Sequence, residues 1–157
     1  ENQKSKQYFQ ANKDSEQYRK TKQIYKKERK KKDKLFDLRI KVAGRVYTAF
    51  KNKGYSKNTI TEKMIGCSWI ELKEHIELQF SEGMNWDNYG DWQIDHIIPL
   101  SSSKDVLEMN KLCHFKNLQP MWKEENLSKS AKFEKEEKIK YLKLIEQSIS
   151  NKKITEF

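Results

Sequence analysis

Two stretches of the chain decide its fold: Trp92-Gln93-Ile94-Asp95-His96-Ile97-Ile98-Pro99 and Asn117-Leu118-Gln119-Pro120-Met121-Trp122-Lys123-Glu124-Glu125-Asn126-Leu127-Ser128-Lys129. The first predicts a strand near Gln93–Ile98, and the second predicts a strand near Leu118–Met121 followed by a helix from about Lys123. The helical periodicity of most other segments makes the expected fold class α+β and mostly helical. We therefore expect a small strand–strand–helix core over about 91–131, flanked by helices.

Asp95, His96 and Asn126 supply the groups that metal-assisted phosphodiester hydrolysis needs. Mg²⁺ takes few oxygen ligands from a protein and keeps several waters, so the Asp95 carboxylate and the Asn126 amide oxygen can suffice. Neutral imidazole is abundant near pH 7, which makes His96 the candidate general base. Successive strand residues point to opposite faces, so Asp95 and His96 meet at one phosphate only if a bend brings them together.

Asn117 and Lys129 add a brace and a cation to this set. An asparagine that opens a strand can bond to backbone across a loop and lock the neighbouring strand, which here carries His96. Lys129 follows Asn126 by three residues, so on a helix the two share a face and the ammonium can reach a phosphate. A purely structural Asn117 and a simply solvated Lys129 are the alternatives.

A longer string of motifs surrounds these residues. In order they are Ile65-Gly66-Cys67-Ser68, Gln79-Phe80, Gly83-Met84-Asn85-Trp86-Asp87-Asn88-Tyr89-Gly90, and the two stretches quoted above. From about Arg39 to about Phe133 the chain resembles HNH endonucleases with the ββα-metal fold, in particular phage and large-virus members. Such a string is far more specific than an isolated Asp-His pair.

The resemblance implies a role for each of the five residues. Asp95 and Asn126 would hold a single Mg²⁺ or Mn²⁺ ion, and His96 would be the general base. Asn117 would orient the loop and His96, and Lys129 falls where relatives often carry a basic residue. The implied reaction is in-line attack of water on a DNA phosphodiester, leaving a 5′-phosphate and a 3′-hydroxyl.

One position departs from the family pattern. Many relatives carry His where this chain has Gln93, two residues before Asp95 and therefore expected on the same strand face. The missing imidazole could change a DNA contact or a supporting hydrogen bond. The main alternative function is therefore a DNA-binding protein of the HNH fold with weak or lost cleavage. A basic structural or RNA-binding protein, in which Asp95 and His96 merely pack, is the more distant one.

The basic charge of the chain is concentrated at one end. The whole chain has 157 residues and a formal charge of +10; residues 1–34 hold 13 Lys and Arg against 5 Asp and Glu, and the rest hold 20 against 18. Such a run can neutralise phosphates and release counterions. We expect residues 1–34 to form a basic helical arm that contacts double-stranded DNA; a solvated tail is the alternative. The residues of this arm expected on DNA are Lys26, Lys27, Arg29 and Lys30.

Helical spacing of apolar residues places two further elements. The stripe from Leu35 to Phe50 predicts a buried amphipathic helix, with Arg39 and Arg45 on other faces and able to contact phosphate. A nuclease domain is accordingly expected over 35–133. The stretch from Ile139 to Ile149 predicts an amphipathic packing helix within 134–157. Gln93, together with Arg39 and Arg45, completes the expected DNA-contacting set of the core.

The cysteine spacing and the hydropathy of the chain bear on structural zinc, disulfides and membrane spans. Cys67 and Cys113 lie far apart without a Cys-x-x-Cys pair, so no structural zinc is expected and both thiols are predicted free. No apolar run approaches the roughly 20 residues needed to span a bilayer. We expect an intracellular protein, in a bacterial or phage host or in a virus. Oligomeric state, an additional domain before Glu1 and a partner subunit stay open.

Overall fold

The structure is a computed structural model that describes residues 15–155, with side chains to residue 150, and the single positions 3, 7 and 11. The predicted helix over 1–32 lies partly outside these residues. In chain order the described elements are α1 (Glu16–Lys32), α2 (Lys34–Asn52), α3 (Thr61–Ile65), α4 (Trp69–Glu77), β1 (Trp92–His96), a 3₁₀ turn (Leu100–Ser102), α5 (Val106–Leu112), a second 3₁₀ turn (Phe115–Asn117), β2 (Leu118–Trp122), α6 (Lys123–Lys129) and α7 (Lys135–Thr155). The fold is mostly helical with one small antiparallel sheet, as the α+β prediction required.

The chain divides into two compact units, residues 1–37 and 38–157. In the first unit, α1 begins at the Ser15 cap and has no buried residue along its described length. Its last turn carries four basic residues, and the Arg29 guanidinium lies 4.2 Å from the centre of the Phe36 ring. Helix α1 is therefore a solvated, charged helix, as a polar sequence without a continuous apolar stripe predicts.

The core of the second unit forms around the apolar stripe of α2. Leu38, Val42, Val46 and Phe50 are all buried, and the stripe meets residues of α3, α5 and the segment after β1. Gly54, two residues after the end of α2, has φ +68°, a left-handed conformation that glycine adopts readily and that turns the chain away from the helix. This helix matches the predicted one closely, because a three- and four-residue spacing of large aliphatic residues defines a single buried face.

The sheet pairs β1 with β2 in antiparallel register, with Asp95 opposite Gln119 and His96 opposite Leu118. Side chains of β1 alternate strictly: Trp92, Ile94 and His96 are buried, whereas Gln93 and Asp95 are half-buried. Helix α6 begins directly after β2 and contacts both strands. The result is two antiparallel strands followed by a helix across one face, with the order and positions that the sequence predicts.

Aromatic side chains between α4 and β1 form a structured loop beside the sheet. The ring centres of Phe80, Trp86 and Tyr89 each lie within 5.2 Å of the Trp92 ring centre, in edge-on contacts. The Phe80 and Trp86 ring centres are 5.6 Å apart, also edge-on. The Trp92 indole N–H donates to the Asn85 carbonyl at 2.8 Å. These contacts fix the start of β1.

One local prediction is wrong and another holds in part. The spacing Thr59-Ile60-Thr61-Glu62 predicts a capping box at Thr59, but α3 begins at Thr61 with Ile60 as its cap and without a side-chain capping bond. Of the predicted α7 stripe, Ile145 is buried and Leu142 packs against the core, whereas Ile139 and Ile149 are 55% and 41% exposed. The second expected capping box, at Ser68 with Glu71, is present at the start of α4.

The face of α7 that does pack is centred on Ile145 and Lys138, both buried. The Lys138 ammonium donates to the Ser102 carbonyl at 2.7 Å and pairs with Glu108 at 2.8 Å. A buried lysine must have such partners, because an unpaired charge away from water is costly. This ion pair joins α7 to α5 and displaces the packing face from the one that hydropathy predicts.

Candidate active site

One face of β1 and one face of α6 come together at the candidate site. Gln93 and Asp95 share the half-buried face of β1, and Asn126 and Lys129 share a face of α6 because they are three residues apart. Each helix residue bonds to one strand residue: Asn126 to Gln93, and Lys129 to Asp95. The local fold therefore assembles four of the predicted residues on one surface.

Asp95 is the carboxylate of this surface and has two side-chain partners. The Lys129 ammonium donates to its Oδ2 at 2.5 Å, and the Gln119 amide donates to the same oxygen at 3.1 Å. Both members of the ion pair are largely shielded, Asp95 at 13% and Lys129 at 19% side-chain exposure. Lys129 also donates to the His96 carbonyl at 2.7 Å. Lys129 thus lies against the predicted metal ligand, where a phosphate contact was expected.

Asn126 is held through Gln93. The Asn126 side-chain amide donates to Gln93 Oε1 at 2.9 Å, and Arg45 Nη2 donates to the same oxygen at 3.3 Å. Arg45 reaches this point from α2, next to the fully buried Val46. In this structure Gln93 and Arg45, both expected to contact DNA, bond to each other and link α2 to α6 through β1.

His96 ends β1 with its ring on the buried face. Its Nε2 is buried and has no hydrogen-bond partner within the described part of the chain. Burial lowers the pKa of His96 from 6.5 to about 4; the Asp95 charge raises it, and the Arg45 and Lys129 charges lower it. The ring is therefore neutral at pH 7 and keeps a lone pair able to accept a proton.

Asn117 clamps the chain just beyond His96. Its side chain is fully buried (0% exposed) and accepts from the Ile98 N–H at 2.8 Å while donating to the Ile98 carbonyl at 2.9 Å. It also donates to the Leu112 carbonyl at 2.7 Å. Three good bonds exhaust most of what one amide can make. The bracing geometry expected of Asn117 is thus present, and its link to catalysis stays a prediction.

The donor set of the site fits a hard divalent cation. Asp95 offers a carboxylate, and Asn126 commits its N–H end to Gln93, which leaves the amide oxygen as the end able to bind a cation. Among the described residues no group of three or more His, Cys, Asp or Glu side chains is arranged to hold a metal ion. The pair predicted here is smaller than such a group, and Mg²⁺ commonly keeps several of its waters.

The remaining predicted residues are on α1 and on the first part of α2. Lys26, Lys27 and Arg29 are exposed on α1, and Arg29 pairs with Asp33 at 3.4 Å. Lys30 is half-buried and lies 3.6 Å from Asp37. In the second unit, Arg39 is exposed with its guanidinium 5.5 Å from the centre of the Trp69 ring. DNA contact by these residues stays a prediction.

Two cysteines and two further histidines take no part in the site. Cys67 and Cys113 are buried thiols that are not joined to each other, and burial raises the pKa of Cys113 to about 12. His114 is buried against Gly66, where a Cβ would meet its ring at 2.8 Å. His75 bonds to the Leu118 carbonyl at 3.1 Å, and its pKa is lowered mainly by burial.

Gln119 is the site residue that sequence reasoning missed. It lies opposite Asp95 in the sheet register and bonds to it. The sequence position of Gln119 in the second strand, two residues after Asn117, could have indicated this contact. Pairing β1 with β2 so that His96 meets Leu118 places this amide beside the carboxylate.

Comparison with known proteins finds two related viral proteins. One uncharacterized protein of Acanthamoeba polyphaga mimivirus is 33% identical over 107 residues, which cover 66% of this chain and 46% of that protein. A second uncharacterized protein of the same virus is 33% identical over 116 residues, covering 72% of this chain and 50% of that protein. The chain thus spans about half the length of the curated relatives it matches.

The other comparisons find no match. No protein-family model matches the chain, and no solved structure does. The relatives are viral, as the sequence led us to expect. No helix in the described part of the chain is long and apolar enough to cross a membrane.

Proposed function

We propose that this chain is a metal-dependent DNA endonuclease of the HNH (ββα-metal) type, which hydrolyses phosphodiester bonds in double-stranded DNA. The observation that carries the proposal is the assembly of Asp95, Asn126 and Lys129 on one face, with His96 ending the same strand. Helix α6 brings Asn126 and Lys129 to the strand that carries Asp95 and His96, which supports the roles that the motif resemblance implies.

In this proposal each side chain has one task. Asp95 and Asn126 would hold the cation with oxygen atoms. His96, neutral at pH 7, would be the general base, and since its ring lies on the opposite, buried face of β1, the attacking water would have to gain access to Nε2 there. Asn117 keeps the backbone after His96 in place through its bonds to Ile98. When bound, Mg²⁺ or Mn²⁺ supplies positive charge at the scissile phosphate and the leaving oxygen.

Cleavage of supercoiled plasmid is the direct test. We expect nicking with Mg²⁺ or Mn²⁺, none with EDTA, and loss of nicking in His96→Ala. The matched control is His75→Ala, since that imidazole has no role in the proposed chemistry and bonds to the Leu118 carbonyl and the Gln79 amide. Circular dichroism of both variants separates loss of chemistry from loss of fold. Metal-independent nicking, or nicking retained by His96→Ala, contradicts the proposal.

The second candidate is a DNA-binding protein of the same fold with weak or lost cleavage. The contact that favours it is the ion pair of Lys129 with Asp95, because a cationic side chain already neutralises the carboxylate that a metal ion would need. This candidate predicts salt-sensitive DNA binding that is unchanged by Asp95→Asn. Binding without cleavage under all metal conditions would select it.

A further inference from the structure

Gln93 is the residue at which the chain departs from the family pattern it resembles, and in this structure it bonds within the protein. Its amide oxygen accepts two hydrogen bonds, from Asn126 Nδ2 at 2.9 Å and from Arg45 Nη2 at 3.3 Å. A carbonyl oxygen has two lone pairs, so these donors fill its accepting capacity. If the amide of Gln93 turned over, it would present N–H groups to two donors and lose both bonds.

The bond from Asn126 decides which end of that asparagine faces outward. An asparagine amide has one oxygen that can bind a cation and one NH₂ group that cannot. Because the NH₂ group donates to Gln93, the oxygen is the end left for a ligand. An asparagine without this acceptor could turn its amide, and half of its orientations would present N–H groups to the cation.

Arg45 keeps Gln93 itself in place. Its guanidinium is a cationic donor, so the bond to Gln93 is charge-assisted. Helix α2 holds Arg45 through its buried neighbours Val42 and Val46. The chain of contacts therefore runs from the core through Arg45 and Gln93 to Asn126.

We propose that Gln93 is a positioning residue whose carbonyl oxygen orients the Asn126 amide, and that it thereby sets the affinity of the site for a divalent cation. This inference rests on the proposed function, since it assigns Asn126 to the cation. Many relatives in the family that the chain resembles carry His at this position. A particular nitrogen of a neutral imidazole accepts a hydrogen bond in only one of the two tautomers, whereas the Gln93 carbonyl oxygen always accepts. Gln93 is therefore a suitable substitute for that imidazole in this role.

Mn²⁺ binding to the full chain, followed by the electron paramagnetic resonance signal of free Mn²⁺, tests the inference without relying on cleavage. Gln93→Met keeps the length of the side chain but removes the acceptor, and we expect affinity to fall about tenfold, the usual cost of losing a supporting hydrogen bond at a metal site. Gln93→Glu keeps an accepting oxygen, so its affinity should equal or exceed that of the unchanged protein. Gln147→Met, the same change at an exposed glutamine of α7, should leave affinity unaltered.

A double variant shows whether Gln93 acts through Asn126. Asn126→Ala should weaken Mn²⁺ binding by itself, and Gln93→Met should add no further loss in that background. Gln93→Thr, too short to reach Asn126, provides the same measurement if Gln93→Met is poorly folded. An equal loss in both backgrounds, or unchanged affinity of Gln93→Met, overturns the positioning role and leaves the proposed function intact. No Mn²⁺ binding by the unchanged protein overturns both.

Discussion

Burial and neighbouring charges together set the pKa of His96. It is buried at the end of a strand, its Nε2 lacks a partner within the described residues, and its pKa is lowered to about 4. Its neighbours oppose one another, since Asp95 favours the protonated ring while Arg45 and Lys129 disfavour it. An anionic DNA phosphate beside the ring would shift this balance and raise the pKa toward neutrality.

The lowered pKa of His96 predicts loss of stability in acid. The unfolded ring binds a proton below about pH 6.5, whereas the folded ring does so only below about pH 4. The contribution of His96 to the free energy of unfolding is therefore fully present above pH 6.5. It is lost as the pH drops from 6.5 to 4, by at most about 3 kcal/mol.

Urea unfolding between pH 7 and pH 4 measures this dependence. His96→Gln should flatten it by most of that amount, while the lowered pKa of His75 leaves a smaller slope of the same sign. An unchanged slope in His96→Gln would show that the native ring is not held neutral.

Asn117 predicts a larger effect on stability than its small size suggests. Asn117→Ala removes three buried hydrogen bonds and leaves backbone groups of Ile98 and Leu112 unpaired. We expect a loss of about 3 kcal/mol in the free energy of unfolding. Asn58→Ala, at an exposed position, should change it by less than about 0.5 kcal/mol. Equal effects of the two changes would contradict the clamp.

At the scale of elements, the strand–strand–helix core and the C-terminal helix follow from the sequence, but the whole packed face of that helix does not. Alternating burial along β1 and the short link into α6 could be predicted because both depend on neighbouring residues. The packed face of α7 depends on Glu108, 30 residues upstream of Lys138, and no periodicity in α7 reports such a partner. For the same reason the bond between Arg45 and Gln93, 48 residues apart, could not be foreseen.

The contact of α6 with β1 predicts competition between a lysine and a metal ion. Lys129 neutralises Asp95 in a largely shielded pair, so a divalent cation at Asp95 must displace or oppose that ammonium. Lys129→Met should therefore tighten Mg²⁺ binding about fivefold, equivalent to about 1 kcal/mol.

Isothermal titration calorimetry measures this affinity. Lys132→Met, at an exposed position three residues further on, is the matched control and should bind Mg²⁺ as the unchanged protein does. Weaker binding in Lys129→Met would show that the lysine assists the cation and does not compete with it.

For the whole molecule, the basic charge is concentrated in the N-terminal part of the chain. The first 34 residues hold a net charge of +8 and the remaining 123 only +2, while the candidate site lies in the second unit. Under the proposed function, electrostatic attraction to DNA would belong mainly to the arm, and the chemistry to the core. The matched mimivirus proteins are about twice as long as the aligned region, so further segments accompany this region there.

The arm predicts a salt dependence that substitution can reduce. Replacing Lys26 and Lys27 by Gln should weaken DNA binding at all sequences and lower the slope of log affinity against log salt by about 2, since each phosphate contact contributes about 0.9. Fluorescence anisotropy with duplex DNA at several salt concentrations measures the slope. The equal charge change at Lys140 and Lys143, both exposed on α7, should alter it little. A larger effect of the α7 pair would place the DNA elsewhere.

The Asn117 clamp also has a consequence for how this protein can vary. The Ile97 N–H donates to the Asn117 carbonyl, and the Asn117 side chain bonds to Ile98. The segment between them, with the 3₁₀ turns and α5, is therefore an excursion of the chain whose two ends are bonded to each other. The closure fixes the strands at the base of this excursion, so their register does not depend on its exposed residues, such as Lys104 and Asp105. Since doubling a loop costs only about 0.6 kcal/mol, this excursion is a place where insertions can accumulate while His96 stays where it is.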